Sequence, residues 1–472
     1  MRRRELLKGL ACTAALPLLL PALPRGVLAA TPQEQVLRAA PGEARLVGSK
    51  YPMTRVWSYG GRVPGPELRL RQGEAFAARL DNALEEGSSL HWHGIRLDNA
   101  MDGVPGVTQD AVDPGASFLY GFTPPDAGTY WYHPHFNSSK QVDSGLAGPL
   151  IVEEAEPPRV DREETWLLDD WRLDDEAQIV QNFGSGHDAS HAGRIGNTVT
   201  LNGFIPEAWP VRAGERVRLR LINAANARGF TLQFQGHRPT IVGLDGQPCS
   251  PHAAPEGGIV LGPAMRADVI VDLEGKPGER FEVHDAHYPR SAYKLLEIAY
   301  SEAAPLRESP LDAPLALPAN PLPPLDLAAA EALTIVMAGG MTGGMTGAML
   351  GGESLDPRAL MEKGVFWALN GVAAAHHEHP KLFDLQLGRT YRATLVNDTA
   401  FEHPMHLHGH HMKLLSRDGI EETREIWHDT LLVAPQQRVE LAFTADNPGD
   451  WLFHCHILEH QQAGMMALVG VY

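Results

Sequence analysis

Short runs of apolar and β-branched residues, separated by glycine and proline, recur along the whole chain. These runs are residues 67–80, 130–132, 198–201, 217–222, 269–272, 333–336, 391–396 and 451–453. Short strands between turn residues are typical of β-sandwiches, and no long helical periodicity competes with this pattern. The sequence therefore predicts an all-β protein.

Three segments repeat one pattern: VPGPELRLRQGEAFAARLDN, IPEAWPVRAGERVRLRLIN and HPKLFDLQLGRTYRATLVN. In each, a glycine precedes an asparagine by nine residues, and the pairs are Gly73 and Asn82, Gly214 and Asn223, and Gly388 and Asn397. A repeat in fixed register indicates repeated structure, so we expect three tandem Greek-key β-sandwich domains. Their expected bounds are 36–155, 160–302 and 331–472, with a proline-rich linker over 303–330 that lies across the surface.

The first thirty residues have the features of a targeting segment. Arg3 and Arg4 precede an apolar stretch over residues 9–23, and small residues follow at 29–30. This order predicts a cleaved twin-arginine signal peptide over residues 1–30, and hence export to a bacterial periplasm or the cell exterior. An uncleaved membrane anchor is the alternative, but the apolar stretch is short and contains prolines at 17, 21 and 24.

The formal net charge of −18 disfavours nucleic acid and anionic lipid as partners and favours the approach of cations. Simple solubility explains the charge equally well. The three cysteines, Cys12, Cys249 and Cys455, cannot form a disulfide framework. We expect Cys249 to be an inert thiol in a loop or partly buried.

Four His-x-His pairs carry the strongest chemical signal: His91 and His93, His133 and His135, His406 and His408, and His454 and His456. Strand side chains alternate, so both members of a pair face the same way. A lone pair would more often be structural, but these pairs occupy matching positions in the first and third repeats. The second repeat has Leu232, Phe234, Val283 and Asp285 there. Eight imidazoles suit three copper ions, which we expect between the first and third domains.

Alternation places Cys455 on the opposite side of its strand from the two flanking histidines. A thiolate, two imidazoles and a weak axial thioether form a blue-copper electron-transfer site. The residues available for it are His403, Cys455, His460 and Met465. The backbone on either side of Cys455 would give electrons a short covalent path to the histidine cluster. A buried structural thiol is the alternative.

The motifs HWHG at 91–94, YHPH at 132–135, HPMHLHG at 403–409 and HCHILEHQQAGM at 454–465 resemble the four signature motifs of the multicopper oxidases. The resemblance covers the whole mature chain and the three-domain order. The stretch HWHGIRLDNAMDGVPGVTQ, followed by GTYWYHPH, looks most like the bacterial CumA and CueO-type branch rather than fungal laccases. It implies cupredoxin-like domains and four copper ions that reduce dioxygen to water.

The resemblance also implies a division of the ligands, and every ligand position of the family pattern is filled here. The type 2 copper would take His91 and His406; one type 3 copper would take His93, His133 and His456, and the other His135, His408 and His454; the type 1 copper would take His403, Cys455, His460 and Met465.

Oxygen reduction needs protons, so acids near the cluster matter. Asp102 is at the position where the family usually has an acid that assists the trinuclear site, although an exposed turn aspartate is the alternative. Relatives often have a glutamate after the histidine equivalent to His460, and this chain has Gln461. Glu459 or ordered water could replace that acid, or turnover could have a different pH profile.

The electron donor is less clearly indicated. Met337, Met341, Met345 and Met349 recur every fourth residue, and thioethers select Cu(I). Glycines between them disfavour a helix, so a loop that gathers soft metal is expected at Met341, Met345 and Met349, with Met337 ending a strand. Weaker candidates are a polar cluster of His376, His377, Glu378 and His379, and the acids Asp398 and Glu402 beside His403.

These features predict an oxidase of a reducing metal ion such as Cu(I), Mn(II) or Fe(II), with dioxygen as acceptor. The alternative within the same chemistry is laccase-like oxidation of phenols or aromatic amines. A non-catalytic copper-binding or scaffold protein is disfavoured because all the ligand positions are filled. A two-domain blue nitrite reductase would lack four paired motifs.

Overall fold

The computed structural model describes residues 34–307, 309, 311–313, 316–341, 345–375 and 379–472. The predicted signal peptide at 1–30 lies outside the described residues, as do His376, His377 and Glu378 of the polar cluster. Within the described part of the chain, no helix has the length and apolar character needed to span a bilayer.

The first group of strands forms two four-stranded sheets. Its elements are β1 (Gln35–Ala44), β2 (Thr54–Tyr59), β3 (Leu68–Arg71), β4 (Phe76–Asn82), β5 (His91–His93), a 3-10 turn (Asn99–Met101), β6 (Ser117–Phe122), β7 (Gly128–His133), α1 (Ser138–Asp143) and β8 (Gly148–Glu153). The sheet orders are β2-β1-β4-β6 and β3-β8-β7-β5. We call this group the first sandwich.

The second sandwich contains β9 (Arg162–Trp171), α2 (Gly186–Ser190), β10 (Thr198–Leu201), β11 (Ala208–Val211), β12 (Arg216–Asn223), β13 (Phe230–Phe234), β14 (Thr240–Leu244), β15 (Gln247–Ala253), β16 (Ile259–Leu261), β17 (Arg266–Asp272), β18 (Arg280–Asp285), a 3-10 turn (Pro289–Ser291) and β19 (Tyr293–Tyr300). Its sheets run β10-β9-β12-β17-β14-β15 and β11-β19-β18-β13-β16. An apolar core of its own fills the space between them.

The third sandwich contains β20 (Glu331–Gly339), β21 (Ala348–Leu350), β22 (Glu353–Leu355), α3 (Pro357–Glu362), β23 (Trp367–Leu369), β24 (Lys381–Leu385), β25 (Thr390–Asn397), β26 (His403–Leu407), β27 (Met412–Arg417), β28 (Ile420–Glu421), β29 (Trp427–His428), β30 (Thr430–Val433), β31 (Arg438–Thr444), β32 (Gly449–Cys455), α4 (Leu458–Gln462) and β33 (Met466–Val471). Its main sheets run β23-β20-β25-β31-β27-β28, with β29 on β27, and β24-β33-β32-β26-β30. The strands β21 and β22 form a separate ribbon.

The repeat is visible in the backbone. The three turn glycines adopt left-handed φ angles of 76° at Gly73, 77° at Gly214 and 78° at Gly388, a conformation that favours glycine. The three asparagines have the same role, because each donates from Nδ2 to at least two main-chain carbonyls of its own sandwich and accepts from the amide two residues later. The predicted all-β, cupredoxin-like fold class is confirmed.

Two local predictions need correction. The run at 67–80 is not one strand, because the turn at Gly73 divides it into β3 and β4, which belong to different sheets. Cys249 is not in a loop but in β15, with only 5% of its surface exposed.

One apolar cluster extends through both the first and the third sandwich and includes Trp92 from one and Trp451 from the other. Burial of this shared surface fixes the two sandwiches against each other. The segment predicted as a linker is also anchored, since Leu317 is buried against Val242 and Ile270, and the Asn320 amide donates to the Ala127 carbonyl at 2.8 Å. The histidine-bearing strands therefore meet at a fixed junction.

Candidate metal centre

Strand pairing brings the histidines of each sandwich together. In the first, β5 and β7 pair with His91 opposite His133. In the third, β26 and β32 pair with His406 opposite His454, and with Met405 opposite Cys455. Because the side-chain period of a strand is two, this register turns the four imidazoles of each sandwich toward the junction.

All eight predicted cluster histidines converge there. Ligand nitrogens within 4.8 Å of one another define three groups: His91 with His406 and His408, His91 with His93 and His133, and His135 with His408 and His454. The His456 ring lies 5.0 Å from His93 and 5.2 Å from His133, between ring centroids. Seven of the eight residues are buried and His135 is partly exposed. Leu232, Phe234, Val283 and Asp285 are instead buried within the second sandwich.

The donor set fits metal ions. Six buried ring nitrogens of the cluster have no hydrogen-bond partner among the described residues: Nε2 of His91, His133 and His406, Nδ1 of His93, and both ring nitrogens of His456. Leaving a buried polar atom unpaired costs about 1–3 kcal/mol, so six in one place call for a ligand. Cations held by these nitrogens would satisfy them, and imidazole is a suitable ligand for copper.

Burial also keeps the rings neutral, as metal ligation requires. It is the main cause that lowers the pKa of His133, His135, His408 and His456, with the neighbouring imidazoles adding to it. The pKa of His454 falls to about 3.

Backbone carbonyls fix the tautomer of four rings. Hydrogen bonds from Nδ1–H reach Asp102 O from His91, Pro134 O from His133, Asp429 O from His406 and Cys455 O from His454, at 2.8, 3.1, 2.9 and 2.8 Å. A carbonyl oxygen can only accept, so Nδ1 carries the proton and Nε2 keeps its lone pair. These four rings are therefore preorganised as Nε2 ligands.

Asp102 is not an exposed turn residue, since only 1% of its surface is accessible. Its Oδ2 accepts from Nδ1 of His408 at 2.8 Å, and Oδ1 lies 3.3 Å from Nδ1 of His91. A single carboxylate from the first sandwich thus orients one histidine from each side of the junction. This geometry supports the predicted assisting role.

His93 has the opposite orientation. Its Nε2 lies 2.9 Å from Thr430 Oγ1 and 3.2 Å from Asp429 Oδ1, which leaves Nδ1 facing the cluster. Although burial favours the neutral acid, Arg266 holds the pKa of Asp429 well below its usual range. Sequence reasoning missed Asp429, because it follows His93 by 336 residues and no motif joins them.

A second group of candidate metal ligands surrounds the thiol of Cys455, and we call it the second centre. Its Sγ is 3.5 Å from Nδ1 of His403 and 3.8 Å from Nδ1 of His460, and all three residues are fully buried. Met465 is buried too, and its carbonyl accepts from the Cys455 amide at 3.1 Å. Burial raises the pKa of the Cys455 thiol, so a cation is needed to hold the thiolate.

The outer nitrogens of this centre are both bonded to protein. His460 Nε2 lies 2.6 Å from the His191 carbonyl, and His403 Nε2 lies 2.9 Å from Thr399 Oγ1. The Trp367 ring covers His460, with centroids 4.3 Å apart. Neither of these two hydrogen bonds was predicted from the sequence.

Gln461 faces the histidine cluster. Its Oε1 accepts from Ser138 at 3.1 Å, and its Nε2 lies 3.5 Å from Nδ1 of His135. The carboxylate of Glu459 points instead toward the second sandwich, where it accepts from the Arg194 amide and from Asn226. Burial raises the pKa of Glu459. The amide, not Glu459, therefore occupies the place beside His135.

The methionines of the glycine-rich segment do not share one environment. Met337 is fully buried in β20, Met345 packs against an apolar cluster, and Met349 is 39% exposed on β21. Met341 is 53% exposed, and its amide donates to the Ser190 carbonyl beside the second centre. Residues 342–344 lie outside the described part of the chain.

The remaining candidates lie elsewhere. Glu402 pairs with His287, with Oε1 2.8 Å from Nε2, and Asp398 is exposed. The Nε2 atom of His379 lies 3.3 Å from the Pro105 carbonyl. The other three residues of the predicted polar cluster lie outside the described part of the chain.

Comparison with known proteins identifies the class. Family models described as multicopper oxidase match residues 43–157, 162–286 and 354–472. The multicopper oxidase MmcO of Mycobacterium tuberculosis is 30% identical over 443 residues, covering 88% of this chain and 82% of that protein. A multi-copper oxidase structure from Pseudomonas thermotolerans superposes with a TM-score of 0.82 at 33% identity, covering 94% and 100% of the two chains. A Campylobacter jejuni multicopper oxidase, described as a metallo-oxidase, gives 0.75 at 26%, covering 93% and 91%.

The chain belongs to the multicopper oxidase family. It is accordingly an oxidoreductase that binds copper, and the predicted family resemblance is confirmed.

Proposed function

We propose that this enzyme couples the one-electron oxidation of a metal ion such as Cu(I) or Mn(II) to the four-electron reduction of dioxygen to water. Four copper ions would supply the electron transfer and the oxygen chemistry, O2 + 4 e⁻ + 4 H⁺ → 2 H2O. The protein residues bind and orient those ions, position protons and govern access from the surface.

The ligand division stands as a proposal. Type 1 copper takes His403, Cys455, His460 and Met465; type 2 copper takes His91 and His406; the type 3 pair takes His93, His133 and His456, and His135, His408 and His454. The grouping of His135 with His408 and His454, and the short ring distances from His456 to His93 and His133, support the type 3 assignment.

Cys455 connects the two centres. Its thiol faces His403 and His460, while its chain neighbours His454 and His456 face the cluster. His454 also donates from Nδ1 to the carbonyl of Cys455 at 2.8 Å. Electrons thus have a covalent route and a hydrogen-bonded route out of the same residue.

The burial of His403 and His460 is the main observation that favours a metal ion over a phenol as the electron donor. Both imidazoles are fully buried, and both outer nitrogens are bonded to protein. A phenol would need an imidazole edge to contact, whereas a metal ion held at the surface can transfer one electron through the intervening hydrogen bond. The metallo-oxidase description of the Campylobacter jejuni relative supports the same choice.

The setting is consistent with such a substrate. We propose export by the twin-arginine route, where the enzyme would meet metal ions and dioxygen outside the cytoplasm. The net charge of −18 would attract cations to the surface.

Oxygen uptake by the copper-loaded enzyme with Cu(I), Mn(II), Fe(II) and a phenol tests the proposal. The Cys455→Ser variant is the blank that measures uncatalysed oxidation of each donor. We expect kcat/KM for a metal ion to exceed that for the phenol by at least about tenfold. A higher value for the phenol than for every metal ion would establish the laccase-like alternative, and no uptake with any donor would establish a non-catalytic protein.

A further inference from the structure

The end of α2, in the second sandwich, is fastened to the second centre. Three consecutive carbonyls of this segment accept hydrogen bonds from the third sandwich: Ala189 from Trp367 Nε1 at 2.6 Å, Ser190 from the Met341 amide at 3.2 Å, and His191 from His460 Nε2 at 2.6 Å. These three hydrogen bonds hold residues 189–191 against Trp367 and His460, next to Cys455. The side of α2 that faces away from Cys455 lies at the protein surface.

Two imidazoles stack on that outer face. His187 and His191 are four residues apart, with ring centroids separated by 4.2 Å and planes inclined by 8°. The His187 side chain is 76% exposed. His187 lies in α2 and His191 directly follows it, and the 4.2 Å ring separation brings both imidazoles within reach of one metal ion.

Hydrogen bonding prepares one ring as a ligand. Nδ1 of His191 lies 3.1 Å from the His187 carbonyl, which can only accept. The proton is therefore on Nδ1, and Nε2 keeps its lone pair. The same His191 residue, through its carbonyl, contacts the His460 ring.

The main chain of a methionine lies beside the pair. Because its amide bonds to Ser190, Met341 is held next to His191 in space, and 53% of it is exposed. Thioether and imidazole donors together favour Cu(I). Asp188, whose carboxylate lies 3.9 Å from Nδ1 of His187, is engaged with Arg172 at 2.8 Å.

We propose that His187, His191 and Met341 form the docking site for the Cu(I) substrate. This inference rests on the proposed metal-oxidase function. One electron leaves the docked Cu(I), which becomes Cu(II), and passes through the His191 main chain and its hydrogen bond to His460. The acceptor is the Cu(II) ion that Cys455, His403 and His460 would hold, and no proton or other atom is transferred.

Binding is tested without turnover by titrating Ag(I), a Cu(I) analogue that is not oxidised, into the copper-loaded enzyme. We expect His187→Ala and Met341→Leu each to weaken the tightest Ag(I) site by at least about tenfold, a change of about 1.4 kcal/mol. The KM for Cu(I) should rise by a similar factor, while phenol oxidation and the blue absorption of the Cys455 centre stay unchanged. His191→Gln is a second variant that removes only the side-chain ligand.

Matched controls come from the same chain. His252 also has Nδ1 next to a backbone carbonyl, at 2.8 Å from Ser250 O, and Met361 is a comparably exposed thioether. His252→Ala and Met361→Leu should bind Ag(I) and oxidise Cu(I) as wild type does.

The outcomes separate the two proposals. Wild-type Ag(I) affinity and wild-type Cu(I) kinetics in His187→Ala and Met341→Leu would overturn the docking site and leave the metal-oxidase function intact. A wild-type enzyme that oxidises no Cu(I), even if it binds Ag(I) at these residues, would overturn the substrate role and the proposed function together.

Discussion

The guanidinium of Arg266 forms two hydrogen bonds with the carboxylate of Asp429, at 2.7 and 2.5 Å, and both side chains are buried. Arg266 belongs to the second sandwich and Asp429 to the third, and the carboxylate also contacts His93 of the first. One ion pair therefore connects all three sandwiches at the histidine cluster.

Removing Arg266 should leave Asp429 as a buried carboxylate without its main partner. We expect Arg266→Met to lower the free energy of unfolding by about 3–5 kcal/mol, as measured by urea denaturation. Arg280→Met is the control, because Arg280 pairs with Glu297 at the surface and its side chain is 63% exposed. That change should cost less than about 1 kcal/mol. Equal costs for the two variants would refute a structural role for the buried pair.

Asp102 is expected to act on oxygen reduction and not on electron uptake, since its carboxylate touches His408 and His91 but not the Cys455 centre. Asp102→Asn should slow the reoxidation of reduced enzyme by dioxygen roughly 10–100-fold. Anaerobic bleaching of the blue absorption by a donor should keep its wild-type rate. Stopped-flow absorption measures both steps.

The exposed neighbour Asp98 provides the control for this prediction. Asp98→Asn should leave both rates unchanged. If Asp102→Asn slowed bleaching and reoxidation equally, a general loss of structure would explain the effect better than positioning of the two histidines.

We expect the Cys455 centre and the histidine cluster to bind copper independently of each other. Because the eight cluster histidines contact each other independently of the thiol, Cys455→Ser should lose the blue absorption and one copper per chain but keep the others. Oxidase activity should fall at least about 100-fold. Metal analysis together with visible spectroscopy checks this, and Cys249→Ala, which alters the other cysteine among the described residues, should behave like wild type. Loss of all copper from Cys455→Ser would show that the two centres are not independent.

Asp169 should make stability depend on pH. Burial, then the charges of Asp170 and Asp143, raise its pKa well above the usual range. A carboxyl with a raised folded pKa contributes stability below its unfolded pKa of about 3.9, and this contribution is lost as pH rises through the folded pKa. Asp169→Asn keeps the acceptor of the 2.8 Å bond from the Asp170 amide but carries no charge.

Thermal unfolding should therefore give the Asp169→Asn variant a higher Tm than wild type at about pH 8, with the difference closing toward about pH 4. Asp175→Asn, on an exposed turn, should show no such trend. A difference that widens on acidification would mean that Asp169 is stabilised as its anion.

Local patterns explain why so much of the fold and the convergence of the histidines could be predicted. The Gly-to-Asn repeat reflects one turn and one side-chain bonding pattern used three times, and strand alternation alone separates Cys455 from His454 and His456. The same logic located the junction of the first and third sandwiches, because only their repeats contain histidine pairs.

The contacts between sandwiches could not be predicted in this way. His191 and His460 are 269 residues apart, and nothing in either local sequence indicates their 2.6 Å bond. The methionine spacing predicted one loop that gathers soft metal, but β21 and the packing of Met345 distribute the thioethers over different environments. Such contacts depend on how the folded sandwiches pack against one another. The sequence repeat carries no information about that packing.

The most direct test of coupled copper centres is the number of donor electrons consumed per dioxygen, measured with the copper-loaded enzyme in an oxygen electrode and with Cys455→Ser as the blank. We expect four one-electron donors to be oxidised for each O2, with no hydrogen peroxide released. Two electrons per O2, with one peroxide formed for each, would contradict a trinuclear cluster fed through Cys455.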